Sequence, residues 1–352
     1  MSLRWKNILY TLGLLSAMFL VFQYRQNKDE QNAQAQVYKL ITVTGKTMGP
    51  ITYSVKYYDP KQRDFKVSID SILTVFNQSL NTYIPSSEIS QFNKEQSFQF
   101  ELPYFYEALD VSKKIYDLTE GAFDPSIGPL INAWGFGPGQ GFIPDSTYID
   151  SVKQFIGYDK ITFDKSGVTK SDPRVNLSFS ASAKGYGVDV VGELLEERGV
   201  ENYFVEIGGE VRTKGKNTST DQNWLIGILH PDSEEINPFK YAIISLSDKS
   251  MATSGNYFNY HVVDGVKYGH TIDPKSGYPI KHNLLSASVV ANTCHEADAL
   301  ATAFMVMGKD KAIDFLNAHK EYGAFLIFST PSGELESFAT ENVKPLIEVI
   351  DE

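Results

Sequence analysis

Residues 176–199 read NLSFSASAKGYGVDVVGELLEERG. This stretch predicts a strand running into a helix that stops near Gly199. The later segments do not repeat that unit. Residues 203–207 and 224–229 read as strands separated by the turn-rich 214–223, and residues 242–247 as another strand. Two helices come next, at 295–307 and 310–319. A last hairpin pairs 325–329 with 334–338 around Pro331-Ser332-Gly333. Upstream, residues 37–44 and 51–57 alternate like the arms of a hairpin around the turn 45–50. Residues 67–80 place Ile69, Ile72, Leu73, Phe76 and Leu80 at helical spacing, and 102–119 do the same with Phe105, Leu109, Ile115 and Leu118. Residues 121–144 are rich in Gly and Pro, too irregular for a helix and too long for a bare connector, and stretches of this length are commonly functional. Hairpins and helices without regular βαβ alternation define an α+β fold of mixed, largely antiparallel sheets packed with helices.

The chain has 352 residues, 42% hydrophobic and 21% charged, enough for one large globular unit or two intimately packed lobes. A formal charge of −11 argues against nucleic acid as a partner, because phosphate backbones need a cationic surface. The single cysteine, Cys294, excludes an internal disulfide and a cysteine-based metal cluster. At the start, Arg4 and Lys6 precede the uncharged run 8–22, ILYTLGLLSAMFLVF, which Arg25 and Lys28 close. A spanning helix needs about 20 apolar residues, and Tyr24 with the flanking polar residues extends the run toward that length. Two readings stay open: an uncleaved signal anchor over residues 1–25, or a signal peptide cut near Ala33-Gln34-Ala35. No cysteine follows the run, so lipoprotein processing is excluded. Either reading exports residues 37–352, with the body on the periplasmic side of the inner membrane. The polar segment 26–36 reads as a flexible tether.

No Walker A loop and no G-x-G-x-x-G after a strand is present. Five segments nonetheless look unlike pure packing: Thr119-Glu120-Gly121-Ala122-Phe123-Asp124-Pro125, Ala183-Lys184-Gly185-Tyr186, Glu206-Ile207-Gly208-Gly209-Glu210, His270-Thr271-Ile272-Asp273-Pro274 and Ala297-Asp298-Ala299-Leu300-Ala301-Thr302. Asp298 and Thr302 are four apart on a predicted helix, so their oxygens share a face. A solvated carboxylate and a core-edge hydroxyl would look the same. Lys184 sits where the chain turns into a helix, a position that favours an anion, but it also fits an ordinary surface lysine.

Together and in this order, these segments resemble the FAD:protein FMN transferase (ApbE-like) family. Met48-Gly49, Leu80-Asn81-Thr82-Tyr83 with Ser87-Glu88-Ile89, Trp134-Gly135-Phe136, Asp189, and Ser254-Gly255 with Tyr257 extend the likeness over residues 44–308. The resemblance implies a T-fold-like architecture and an enzyme that splits FAD. FMN is then joined through a phosphoester to a Ser or Thr of an acceptor protein, typically a subunit of a membrane redox complex, and AMP is released. It makes Asp298, Thr302 and the carbonyl of Ala181 the ligands of Mg²⁺, for which Mn²⁺ substitutes. A pyrophosphate cleavage calls for such a hard divalent ion, which takes oxygen ligands. The resemblance also puts Met48, Tyr83, Ala122, Phe123, Asp124, Ser178, Lys184 and Ile272 against the nucleotide. For Phe123 and Tyr83 core packing is the competing role. Ser178 stands where the family commonly has an acidic residue, a departure that bears on nucleotide affinity. His270 is either the base that takes the acceptor's proton or a structural histidine holding the Asp273-Pro274 turn. Two rival functions remain, an FAD pyrophosphatase and a flavin-binding protein without chemistry.

Overall fold

The computed structural model describes residues 13, 15–25, 39–137, 144–233, 238–256, 260–263 and 266–350. The first hairpin pairs β1 (Leu40–Thr47) with β2 (Ile51–Tyr58), and a helical region follows with α1 (Lys66–Leu80), α2 (Glu88–Phe92), β3 (Ser97–Gln99) and α3 (Phe105–Leu118). Then come α4 (Gly128–Ala133), α5 (Ser146–Lys153), β4 (Ile161–Phe163), β5 (Gly167–Lys170) and α6 (Ala183–Glu197). Five strands come after α6: β6 (Asn202–Ile207), β7 (Glu210–Lys214), β8 (Trp224–Leu229), β9 (Lys240–Leu246) and β10 (Ser250–Gly255). After a small hairpin, β11 (Tyr260–Val263) with β12 (Val266–Gly269), the chain closes with β13 (Leu284–Ala291), α7 (Cys294–Met307), α8 (Lys309–Ala318), β14 (Gly323–Ser329), β15 (Leu335–Ala339) and β16 (Ile347–Val349).

Among the described residues, eight strands form one sheet in the order β1-β2-β6-β7-β10-β13-β14-β15, antiparallel at every pairing. One face is covered by helices: Val188, Val191 and Leu195 of α6 join Ala297, Leu300 and Phe304 of α7 over Val55, Val205 and Val289 of the sheet. The other face carries the three-stranded sheet β16-β9-β8, whose Ile226, Ile228 and Ile244 pack on Val211, Val290 and Ile327. A second lobe surrounds Phe92, Phe105, Tyr158 and Phe179 with α1, α2, α3 and the sheet β3-β5-β4. The expected α+β architecture is therefore present.

Three expectations need correction. Residues 176–182 are not a strand: apart from an isolated bridge between Asn176 and Ile127, the segment has no ladder. Its alternation arises because Leu177 and Phe179 fill the second core, while the Asn93 side chain donates to Leu177 O (2.9 Å) and accepts from Leu177 N (2.8 Å). One amide thus satisfies the backbone that a neighbouring strand would otherwise pair. Residues 121–144 do contain a helix, α4, whose Pro129 sits in the first turn where its missing N–H costs nothing. Strands β7, β10 and β13 are central in the large sheet and have no counterpart among the strands expected from sequence. Strand β13 is buried on both faces, so its sequence does not alternate.

Among the described residues, no helix is long and apolar enough to cross a membrane. Residues 15–25 are helical. The expected anchor, 8–22, lies partly outside the described residues, and the expected tether, 26–36, wholly outside them.

Candidate active site

The site is assembled where α6 and α7 pack on β7 and β10, interior strands of the large sheet. Helix α7 buries four alanines, Ala297, Ala299, Ala301 and Ala303, so it lies close to its neighbours. Its N-terminus is held from α6: the Asp189 carboxylate accepts from Cys294 N (3.0 Å) and His295 N (2.8 Å) and takes Arg212 Nη1 at 3.0 Å. Orphan amides at a helix start favour such a carboxylate. Gly185 lets the two helices touch, since a Cβ there would stand 2.3 Å from Cys294 O and 2.7 Å from Asp298 Cβ.

This packing aims Asp298 at the first turn of α6. Its Oδ2 accepts from Gly185 N at 2.9 Å, and the residue is only 3% exposed. Burial pushes its pKa up to about 6, against the pull of the Lys184 ammonium. Lys184 Nζ donates to Glu210 Oε1 at 2.6 Å. Burial works against the ammonium's charge, yet Glu210 and Asp298 outweigh it and hold the Lys184 pKa above its ordinary value. Glu210, 1% exposed, is raised to about 8 by burial, with Lys184 opposing and Asp298 adding to the rise. Its other oxygen, Oε2, is buried with no hydrogen-bond partner among the described residues. The turn that delivers Glu210 needs glycine, because Gly208 and Gly209 adopt φ of 61° and 104°.

One turn further along α7, Thr302 Oγ1 lies 3.4 Å from Ala181 O and 3.2 Å from Ser254 Oγ. Asp298, Thr302 and Ala181 thus offer a carboxylate, a hydroxyl and a carbonyl to one shared space. These are the hard oxygen donors that Mg²⁺ prefers, and a cation beside the buried carboxylate would offset the burial that raises its pKa. The residues fit the ion.

Around them opens a cleft of about 800 Å³, in the range of small-molecule sites. It brings together Tyr83, Ala181, Lys184, His270, Ile272, Asp298 and Thr302. Phe136 and Ile131 form an apolar wall, and the Phe136 ring stands edge-on to His270 with centroids 6.3 Å apart. A side lobe of about 350 Å³ shares Tyr83, Ile131, Phe136 and Ser180 and contains Ser178, Asn93 and Lys94. Tyr83 is 64% exposed at the junction, its hydroxyl 3.5 Å from Phe136 O, so it stands clear of the core. Ile272 is 4% exposed, bridges Pro279, and precedes a turn closed by Gly277 N donating to Asp273 O (2.8 Å).

Four expected nucleotide contacts do not line either cavity. Met48, at φ 49°, is partly buried against the second core, with its methyl near Gly187. Ala122 and Phe123 belong to the main core. Asp124 is 7% exposed and accepts from Ser126 N (2.8 Å) and Ser126 Oγ (2.7 Å). This turn acts at one remove, since Pro125 O accepts from Ser178 N at 2.8 Å and so places the side lobe. Conversely, the roles of Glu210 and Ser254 are not legible in the sequence. Glu210 is visible there only as the end of a Gly-Gly turn and Ser254 as part of a short Ser-Gly motif, and both find their partners across the fold.

The sequence profile of the ApbE family matches residues 48–326. The chain belongs to the ApbE family. It is 38% identical over 311 residues to the FAD:protein FMN transferase of Haemophilus influenzae, covering 84% of this chain and 88% of the relative. With the FAD:protein FMN transferase of Vibrio cholerae it shares 35% over 316 residues, 87% and 92% of the two chains. The solved flavin transferase ApbE from Vibrio cholerae superposes with a TM-score of 0.79 at 35% identity, covering 88% of this chain and 99% of that one. The ApbE protein of Thermotoga maritima gives 0.73 at 28% identity, with 88% and 99% covered. The likeness to ApbE structures thus extends over most of the chain.

Proposed function

We propose that this ApbE-family chain is an FAD:protein FMN transferase. It cleaves FAD between its phosphates and joins FMN to a Ser or Thr hydroxyl of an acceptor protein. The observation that carries this reading is the convergence of the Lys184 ammonium, the Asp298 carboxylate and the Thr302 and Ala181 oxygens in one cleft beside an apolar wall.

In the proposed step the acceptor oxygen bonds to the phosphorus on the FMN side and the P–O bond to the bridging oxygen breaks. AMP leaves with that oxygen and the electron pair. Lys184 binds the pyrophosphate oxygens, and the wall formed by Phe136, Ile131 and Tyr83 receives the flat ring systems. His270 lines the cleft and accepts the acceptor's proton at a ring nitrogen. Mg²⁺, or Mn²⁺ in its place, would be held by Asp298, Thr302 Oγ1 and Ala181 O and would supply neutralisation of phosphate charge. Residues 8–22 tether the body to the outer side of the inner membrane, where subunits of a membrane redox complex are the acceptors. The basic flanks of that run support the orientation.

The test is incubation with FAD, Mg²⁺ and candidate acceptors, followed by a search for covalent flavin fluorescence and released AMP. AMP with no labelled acceptor would identify a pyrophosphatase, and bound FAD with no AMP a binding protein.

A further inference from the structure

Ser254 takes no part in the donor set above, yet its Oγ is 3.2 Å from Thr302 Oγ1, and both line the cleft. A hydroxyl carries one proton and two acceptor lone pairs. For Thr302 to turn a lone pair toward a cation, its proton must go to another acceptor. Two are within reach: Ala181 O at 3.4 Å and Ser254 Oγ at 3.2 Å. A proton donated to Ala181 O would take one of the two lone pairs of the carbonyl that serves the cation and would point the Thr302 proton toward that ligand. Of the two, the bond to Ser254 is the one that leaves both lone pairs of Ala181 O available.

We propose that Ser254 is a positioning residue for the cation site: it accepts the Thr302 proton and so fixes a Thr302 lone pair, together with an unencumbered Ala181 carbonyl, toward the ion. This inference rests on the proposed metal dependence and adds a residue to it. The backbone supports the role. Ser254 lies on β10, paired with Ala287 of β13 inside the eight-stranded sheet, so its hydroxyl is presented from a rigid strand rather than a loop. Thr302 comes from α7, which packs directly on β10 and β13. The two hydroxyls meet across 48 residues of sequence, each carried on an element that the core holds in place. Outer partners of this kind orient the ligating atom, and losing one typically weakens metal binding about 10- to 100-fold.

The experiment measures Mn²⁺ binding to the full chain without FAD, by paramagnetic resonance of free Mn²⁺ and by calorimetry. Ser254→Ala should weaken Mn²⁺ at least about tenfold, while Ser254→Thr, which keeps a hydroxyl, should stay near wild type. Thermal melts of both variants establish that the fold is intact. Wild-type affinity in Ser254→Ala would overturn the proposal. Equal weakening in Ser254→Ala and Ser254→Thr would also overturn it, since packing rather than the hydroxyl would then matter. If the wild-type chain takes up no Mn²⁺ yet still cleaves FAD, the metal reading fails and this inference with it.

Discussion

Lys184 Nζ lies 2.6 Å from Glu210 Oε1, joining the first turn of α6 to the first residue of β7 across the floor of the cleft. Glu210 is buried and its second oxygen has no other partner among the described residues, so the pair is mutually dependent. Removing one member of a buried pair typically costs about 3–5 kcal/mol. Lys184→Met should therefore lose stability, and increasingly so as pH rises. Glu210 would keep a folded-state pKa far above its unfolded value near 4.3, so the folded state holds the extra proton and is penalised on deprotonation. Adding Glu210→Gln should flatten that slope without restoring FAD binding. Thermal melts at pH 6 and pH 9 with a flavin titration check both statements.

Asp298→Asn keeps an acceptor for Gly185 N but removes the charge, so the fold should survive while activity falls by orders of magnitude. Excess Mg²⁺ or Mn²⁺ should restore part of it. Because burial raises the Asp298 pKa to about 6, protons should compete with the ion, and wild-type Mn²⁺ affinity should drop as pH falls below that value. The Asn variant should lack this dependence. Wild-type turnover by the variant at limiting metal would remove Asp298 from the donor set.

His270→Asn should bind FAD with similar affinity and lose most transfer, since a positioned base contributes about 10²–10⁴ in rate. Single-turnover transfer rates of wild type and variant, set beside a flavin-binding titration of each, check both parts. Loss of FAD binding along with transfer would instead make His270 a ligand or a structural residue.

Gly185→Ala places a methyl 2.3 Å from Cys294 O, where backbone cannot yield cheaply. Overpacking of this kind costs about 1–3 kcal/mol. The helices should be pushed apart at Asp298, so denaturant midpoint and Mn²⁺ affinity should fall together. A variant with wild-type values for both would show that the contact relaxes freely.

Cells expressing the full chain should retain it with the membrane fraction after a salt wash, with the body accessible to protease from the outer side. Recovery as a soluble cytoplasmic protein would remove both the tether and export.

Much of the helical frame was legible because helices α1, α3, α6, α7 and α8 each carry a strong periodic or capping signal over many residues. The hairpins β1–β2 and β14–β15 were legible for the same local reason, being closed by Gly- and Pro-containing turns. Strands β7, β10 and β13 were not. β13 is buried on both faces, β10 ends in serine and glycine, and β7 carries three charged residues in five, so all three owe their conformation to neighbours far away in the chain. The apparent strand at 176–182 shows the converse, an alternating pattern imposed by a core and satisfied by the Asn93 side chain.

By itself the sequence determined the α+β class, the short acidic and glycine motifs and the pairing of Asp298 with Thr302 on one helical face, because these depend on spacing of a few residues. Only the tertiary structure decided which motifs share a cleft. It gathered Lys184, Glu210, Ser254, His270, Asp298 and Thr302, and it set Met48 and the Ala122–Phe123–Asp124 turn into the packing behind it. The physical reason is that a local pattern fixes the direction of a side chain from its own backbone. Its partner, its burial and hence its charge state come from elements tens of residues away, as the Lys184–Glu210 and Ser254–Thr302 contacts show.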